Sequence, residues 1–446
     1  MKYLSKIFLF GIYLSLPGCI FSQKFVLDSY IEEALMQNLV LRQKNIPLAK
    51  SRLALKEAEK RFKPTADFSF SYTLAYGGRT IDLPIGDLLN PVYNTLNRLT
   101  QSNQFPQLEN VENQLLPNNF YDGRVRISYP VFNKDLNLQK EVRMQEVLLQ
   151  ENEIEIYKKE LILSVKTAYY QYGLALEGQL ILGNAKNFLE NSLETVQILV
   201  REGKALPAQV LRAENEIEIL DSKLKEADNQ VINAQLYLNF LLNRENNLPL
   251  KFEKPPLETD LLKDVEVFKW NESNPVFKKI DLALSIQNLL EKRNQQFFIP
   301  QISLFSDIGS QAFNWQLNNK SVYLIGGVQL MMPLWVNKMN KLKNEQIQLD
   351  IQALKWNKEL LANQENLSIQ MAVNKVTVSK KAFTSMAKQV QTAATYLRLT
   401  ERGFQEGGVS LLEMYDAQNQ YTNALLQENM KYYQYLMALS ELQKLK

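Results

Sequence analysis

Histidine is absent from all 446 residues. That removes the commonest general base and the commonest metal ligand at neutral pH. A single cysteine, Cys19, excludes an intrachain disulfide. Glycine and proline are scarce, 16 and 15 residues, which suits long uninterrupted elements. Neither charge sign dominates: 51 basic residues face 48 acidic ones, a net charge of +3. Such a balance gives no support to a nucleic-acid partner. Beyond the N-terminal segment no apolar run approaches the roughly 18 residues of a membrane-spanning helix. No nucleophile and base stand in a recognisable constellation.

What is present begins with an export signal over residues 1–22. Lys2 and Lys6 precede the apolar run Ile7 to Leu16, Pro17-Gly18 breaks it, and small Ser22 follows. Cleavage after Ser22 would leave 49 basic against 48 acidic residues, a net charge of +1. Leu16-Pro17-Gly18-Cys19 resembles a lipobox, which makes Cys19 a candidate lipidation site. The alternative is an ordinary signal peptide that happens to contain a cysteine.

The mature chain alternates two periods. Residues 28–62 carry a broad apolar face and read as one helix, kinked at Pro47. Phe68, Phe70, Tyr72, Leu74 and Tyr76 then alternate with small polar residues, so 66–76 reads as a strand with one aromatic face. Residues 77–120 are rich in Gly, Asn, Pro and Gln and read as a long loop. A second strand is expected over 121–131, a long helix over 134–200, a turn at Gly203 to Pro207, and a helix over 208–243. Residues 244–273 read as a linker. A second series follows: a helix 275–298, strands 301–311 and 321–333, a long helix 337–402, a turn at Gly407-Gly408 and a helix 410–445.

The two series are copies of one unit. Val125 to Phe132, with Pro130 near its end, returns as Val328 to Trp335 around Pro333; Glu202-Gly203 returns as Glu406-Gly407, 204 residues on. Asn38 through Pro64 matches Asn274 through Pro300. Repeat 1 is thus 23–243 and repeat 2 is 274–446. Each long helix would measure about 100 Å at 1.5 Å per residue, more than a globular domain needs. On the second of them Leu342, Leu349 and Trp356 form one seven-residue seam, and Ile347, Leu354 and Leu361 a neighbouring one. Two seams imply neighbours on two sides, as in a closed wall of helices. The strands have the length of tilted membrane-spanning strands. Four cannot close, and an open edge cannot sit in lipid, so strands must come from further copies. A soluble sandwich does not explain the flanking helices, and a cytoskeletal coiled coil does not explain the strands.

These residues resemble the TolC-like outer-membrane efflux protein family. The resemblance rests on Asn274-Pro275 opening a helix that ends at Ile299-Pro300, on Pro333-Leu334-Trp335 ending a strand, and on the tip running from Gly407 through Leu411, Leu412, Glu413, Met414, Asp416 and Ala417. It covers about Phe25 to Lys446. It implies a mainly α chain with a membrane β-barrel: a homotrimer whose 12-stranded outer-membrane barrel continues as a long periplasmic α-helical barrel, with 244–273 at its equator. It implies a passive exit duct in outer-membrane lipid, docked through a periplasmic adaptor onto an inner-membrane transporter, and a non-enzyme with no cofactor and no metal. A channel for protein secretion, or a periplasm-spanning structural protein that does not conduct, stays open beside it. The resemblance places the gate at Glu413 and Asp416, three residues apart on one helix face. Repeat 1 has Gln209 and Arg212 there, with Arg212 expected to pair with an acid across the gate. Adaptor docking is expected at Gly203, Ala205, Leu206, Gly407, Val409 and Leu411. The glycines also serve the turns themselves.

Overall fold

A computed structural model describes residues 25–256 and 274–445. Cys19, the signal segment, residues 257–273 of the linker and Lys446 lie outside the described residues. The elements run α1 (Val26–Gln37), α2 (Leu39–Lys60), β1 (Thr65–Thr73), β2 (Thr80–Leu83), α3 (Ile85–Thr100), β3 (Val111–Gln114), β4 (Phe120–Phe132), α4 (Lys134–Arg201), α5 (Pro207–Leu242), α6 (Pro275–Gln295), β5 (Gln301–Phe313), β6 (Val322–Met331), α7 (Met339–Gln405) and α8 (Leu411–Lys444). The two long helices have 68 and 67 residues.

The chain divides into two compact units. One comprises residues 48–150 and 280–356 and holds the strands. Its main sheet is antiparallel in the order β1-β4-β5-β6. The central β4–β5 pair joins the first and second halves of the chain, with Arg126 opposite Asp307. Pro130, near the end of β4, sits at an irregularity in that ladder, where a missing N–H is tolerated.

Residues 77–120, expected to be a loop, hold β2, α3 and β3 instead. Sequence composition misled because the asparagines are structural. Asn90 and Asn97 on α3 each bond both ways to the backbone of an extended stretch: Asn90 to Leu108, Asn97 to Phe105. These side chains do the work of a neighbouring strand, satisfying half-buried N–H and C=O groups without a ladder.

The other unit comprises the described parts of 1–47, 151–279 and 357–446. The single helix expected over 28–62 is two. Asn38, with ψ of 125°, ends α1. Its Oδ1 accepts from Leu41 N at 3.1 Å, capping α2. Its Nδ2 donates to Leu241 O at 3.0 Å. Asn274 does the same for α6, accepting from Val276 N at 3.1 Å. Pro47 lies inside α2 without ending it.

An extended strap, Lys251 to Pro255, crosses α1, α4 and α8 in this unit. Tyrosine hydroxyls hold every second residue of it. Tyr30 Oη donates to Lys251 O and accepts from Lys251 N. Tyr169 Oη does likewise with Glu253, at 2.7 and 2.8 Å. Tyr432 Oη donates to Pro255 O. The Phe252 ring packs on Tyr169 with centroids 5.1 Å apart. Gly173 makes room for it: a methyl group there would overlap the Phe252 ring and come within 2.8 Å of Tyr433 Oη.

Candidate channel sheet and helix tips

Alternation gives the main sheet two unlike faces. One register row runs Phe68, Val125, Ile308, Leu324. All four are exposed, at 73, 39, 51 and 72%. The adjacent row, on the opposite face, runs Asp67, Arg126, Asp307, Ile325, and the next on that face Ser69, Arg124, Gly309, Tyr323. Arg126 donates to both carboxylate oxygens of Asp307 at 2.7 Å. Tyr323 Oη donates to Asp122 at 2.7 Å. A soluble sheet buries its apolar face; here the polar face holds the ion pairs and the apolar face is bare. At one end of the apolar face Trp315 stacks on Tyr72 and Tyr121, at 4.9 and 5.5 Å. Within the sheet β1 and β6 are the edges.

Both predicted tips are helix–turn–helix connections with a left-handed glycine. Gly203 has φ of 70° and Gly407 of 77°. Lys204 N donates to Leu199 O and Gly408 N to Gly403 O, both at 2.8 Å. That is the 6→1 bond of a glycine-terminated helix. The following helices start differently. Gln209 Oε1 accepts from Leu206 N before Pro207, whereas Ser410 Oγ accepts from Glu413 N. Glu202 and Lys204 form an exposed ion pair at 2.7 Å. The hydrogen bond from Lys204 holds the Glu202 carboxyl below its usual range.

Among the expected docking residues, Gly203, Leu206 and Gly407 are exposed, and Ala205 and Val409 half-buried. Leu411 is turned inward, 3% exposed, in a cluster with Val196, Ala213, Met414 and Tyr415. The exposed leucine after the second turn is Leu412. Periodicity carried that signal: Leu411, Met414 and Tyr415 form an i, i+3, i+4 stripe.

Glu413 and Asp416 are both exposed, on the side of α8 away from that stripe. Asp416 accepts from Gln420 Nε2 at 2.7 Å. Buried Tyr415 between them points into the helix packing, its hydroxyl 3.1 Å from Ser192 Oγ. Burial pushes the Tyr415 hydroxyl pKa up. Arg212 pairs with Glu216 one turn along its own helix. The two carboxylates are therefore left displayed, held by a fully packed neighbour.

The two seven-residue seams of α7 have different fates. Ile347 is buried and Leu354 and Leu361 are half-buried, while Leu342, Leu349 and Trp356 are 58, 66 and 64% exposed. On α2, Leu39, Ile46 and Leu53 repeat the same spacing at 59, 55 and 64% exposure. Among the described residues no group of three or more His, Cys, Asp or Glu is placed to hold a metal. No described helix is long and apolar enough to cross a membrane.

No family model matches the chain, and no curated protein matches it in sequence. Solved structures do match. The outer-membrane channel OprN aligns with a TM-score of 0.74 at 13% identity, over 94% of this chain and 89% of that one. The Campylobacter jejuni CmeC outer membrane channel aligns at 0.71 and 14%, over 94% and 85%. The outer membrane protein VceC of Vibrio cholerae aligns at 0.71 and 14%, over 94% and 95%. The chain thus has the fold of these outer-membrane channels, as the TolC-like resemblance implied.

Proposed function

We propose that this chain is one third of an outer-membrane duct, through which exported small molecules leave the periplasm. The observation that carries the reading is the sheet with an exposed apolar face, a charged opposite face and two open edges. Water penalises the first face, lipid the second, and lipid forbids the edges. All three conflicts vanish when several copies close a barrel, apolar side to lipid and charged side to an aqueous lumen. Four strands per chain make twelve in a homotrimer. The aromatic cluster at Trp315 suits the girdle of such a barrel. The unpartnered seams of α2 and α7 share a spacing and suit contacts between neighbouring protomers.

The tips Gly203 to Leu206 and Gly407 to Val409 are the surface offered to a periplasmic adaptor linked to an inner-membrane transporter. Glu413 and Asp416 form the gate. Three copies would make two rings of carboxylates, which favour cations and repel one another as the aperture narrows.

The test is reconstitution of the purified protein in planar bilayers, with its assembly mass measured in parallel. Trimers with stepwise, cation-preferring conductance are expected. Glu413→Gln with Asp416→Asn should raise the open conductance or open probability and weaken the preference for cations. Unchanged conductance and preference sink the gate. Folded protein that never conducts sinks the duct and leaves a structural role across the periplasm.

A further inference from the structure

The sheet-bearing unit contains a cavity of about 570 Å³ where the first turns of α4, the end of α6 and the start of α7 converge at the root of β5. Its walls are amphipathic. Lys134, Arg293 and Lys343 bring three cations, Asp135 and Asp350 two carboxylates. Arg293 and Asp135 are committed to each other in an ion pair, which leaves two lysines against Asp350. Leu138, Phe297 and Ile347 supply apolar wall.

Two further observations point to a ligand. Gln296, on the wall, has a buried Oε1 with no hydrogen-bond partner. On α7, Asn340 Nδ2 and Asn344 Oδ1 are buried and unpartnered too. Three of the five such side-chain atoms among the described residues thus fall on this one α6–α7 seam. An orphaned buried acceptor is costly, so a polar molecule in the cavity that donates to Gln296 Oε1 gains from doing so. The cavity is also not simply the seat of a neighbouring protomer. The Arg293–Asp135 pair ties α6 to α4, and Asn294 Nδ2 donating to Asn340 O ties it to α7. Both flanks of α6 are occupied by its own chain.

From this we infer that the cavity is a binding site for an anionic amphiphile with a phosphoester headgroup. The phosphate lies against Lys134 and Lys343, a headgroup hydroxyl or amine reaches the orphaned Gln296 Oε1, and one acyl chain lies along Leu138, Phe297 and Ile347. Such a molecule has two sources. A phospholipid of the surrounding membrane would reach the root of the strands; this source rests on the outer-membrane reading. An amphiphilic cargo in transit is the other.

The experiment uses the full-length, assembled protein and native mass spectrometry with added dimyristoylphosphatidylglycerol, dodecyl phosphate and the uncharged monomyristoylglycerol. Both phosphates should bind and the uncharged lipid should bind at least about tenfold more weakly. Lys134→Gln with Lys343→Gln should weaken phosphate binding about tenfold, and Ile347→Trp, which fills the cavity, should do so with the lysines intact. Phosphatidylglycerol carried from the membrane through purification assigns the lipid source. Binding of both phosphates only when they are added, with none carried through purification and with a fall in conductance, assigns cargo. Equal binding of charged and uncharged lipids, or retention unchanged in both variants, overturns the site. Phosphate binding by a protein that forms no pore would sink the duct reading and leave the site standing.

Discussion

Replacing Tyr169 by Phe tests whether the strap is held by hydroxyl groups or merely rests on the helices. The Tyr169 ring is 1% exposed, so its packing against Phe252 survives the change. What disappears is one oxygen that both donates to Glu253 O at 2.7 Å and accepts from Glu253 N at 2.8 Å. A net hydrogen bond contributes about 0.5–1.5 kcal/mol. Glu253 itself is exposed, so water partly replaces the lost partner. Two bonds thus amount to about 1–2 kcal/mol, a factor of roughly 5–30 in local opening. Hydrogen exchange read by mass spectrometry on peptides spanning 250–256 is the assay. Exchange there should accelerate by that factor while α5 and the rest of α4 keep their protection. Unchanged exchange in the strap would refute the reasoning, because Tyr169 would then be a packing residue only. Acceleration throughout α4 would refute it too, because the strap would then not be a separable unit.

Four further outcomes follow from the geometry. Burial pushes the Tyr169 and Tyr432 hydroxyl pKa values up to about 12 from an ordinary 10. Their stabilisation is therefore complete below pH 10 and is lost as pH rises through 12, so strap exchange should rise across that window and Tyr169→Phe should flatten the rise. Gly407→Ala places a side chain at φ of 77° in open space; a cost of about 1 kcal/mol at the tip is expected, and Gly407→Asn should recover part of it, both read by exchange at 402–410. Trp356→Glu changes a residue 64% exposed in the single chain, so helix content should hold while sedimentation shows the assembly weakened. Arg126→Ala leaves Asp307, 3% exposed, without its partner; sheet stability should fall. Adding Asp307→Ala should restore much of it in a double-mutant cycle read by thermal unfolding.

Much of the chain was legible before any coordinates. The long helices, four main strands and both glycine turns depend on local signals: periodicity, proline-free runs and residues that tolerate a positive φ. Tip residues Gly203 and Gly407 were identifiable because few other residues adopt their conformation without strain. Asn38 was visible as the opening of a repeated motif, but its capping role was not, since a helix pattern continues smoothly across it. The segment 77–120 has the Gly, Asn, Pro and Gln content of a loop; here Asn90 and Asn97 spend their amides on backbone 18 and 8 residues further along. The tip motif places Leu411 on the surface, whereas its spacing to Met414 and Tyr415 marks the inward face it occupies.

The sequence by itself determined where the chain coils, where it extends and which side of each element is apolar, because those depend on residues within a turn or two of one another. Tertiary structure alone decided which apolar sides find cover and which stay bare. It set the Arg126–Asp307 pair, the strap under three tyrosines and the cavity at the root of β5. Each of these joins residues far apart in the chain, 84 positions between Tyr169 and Glu253 and 181 between Arg126 and Asp307, and no local periodicity encodes which distant side chain will meet which.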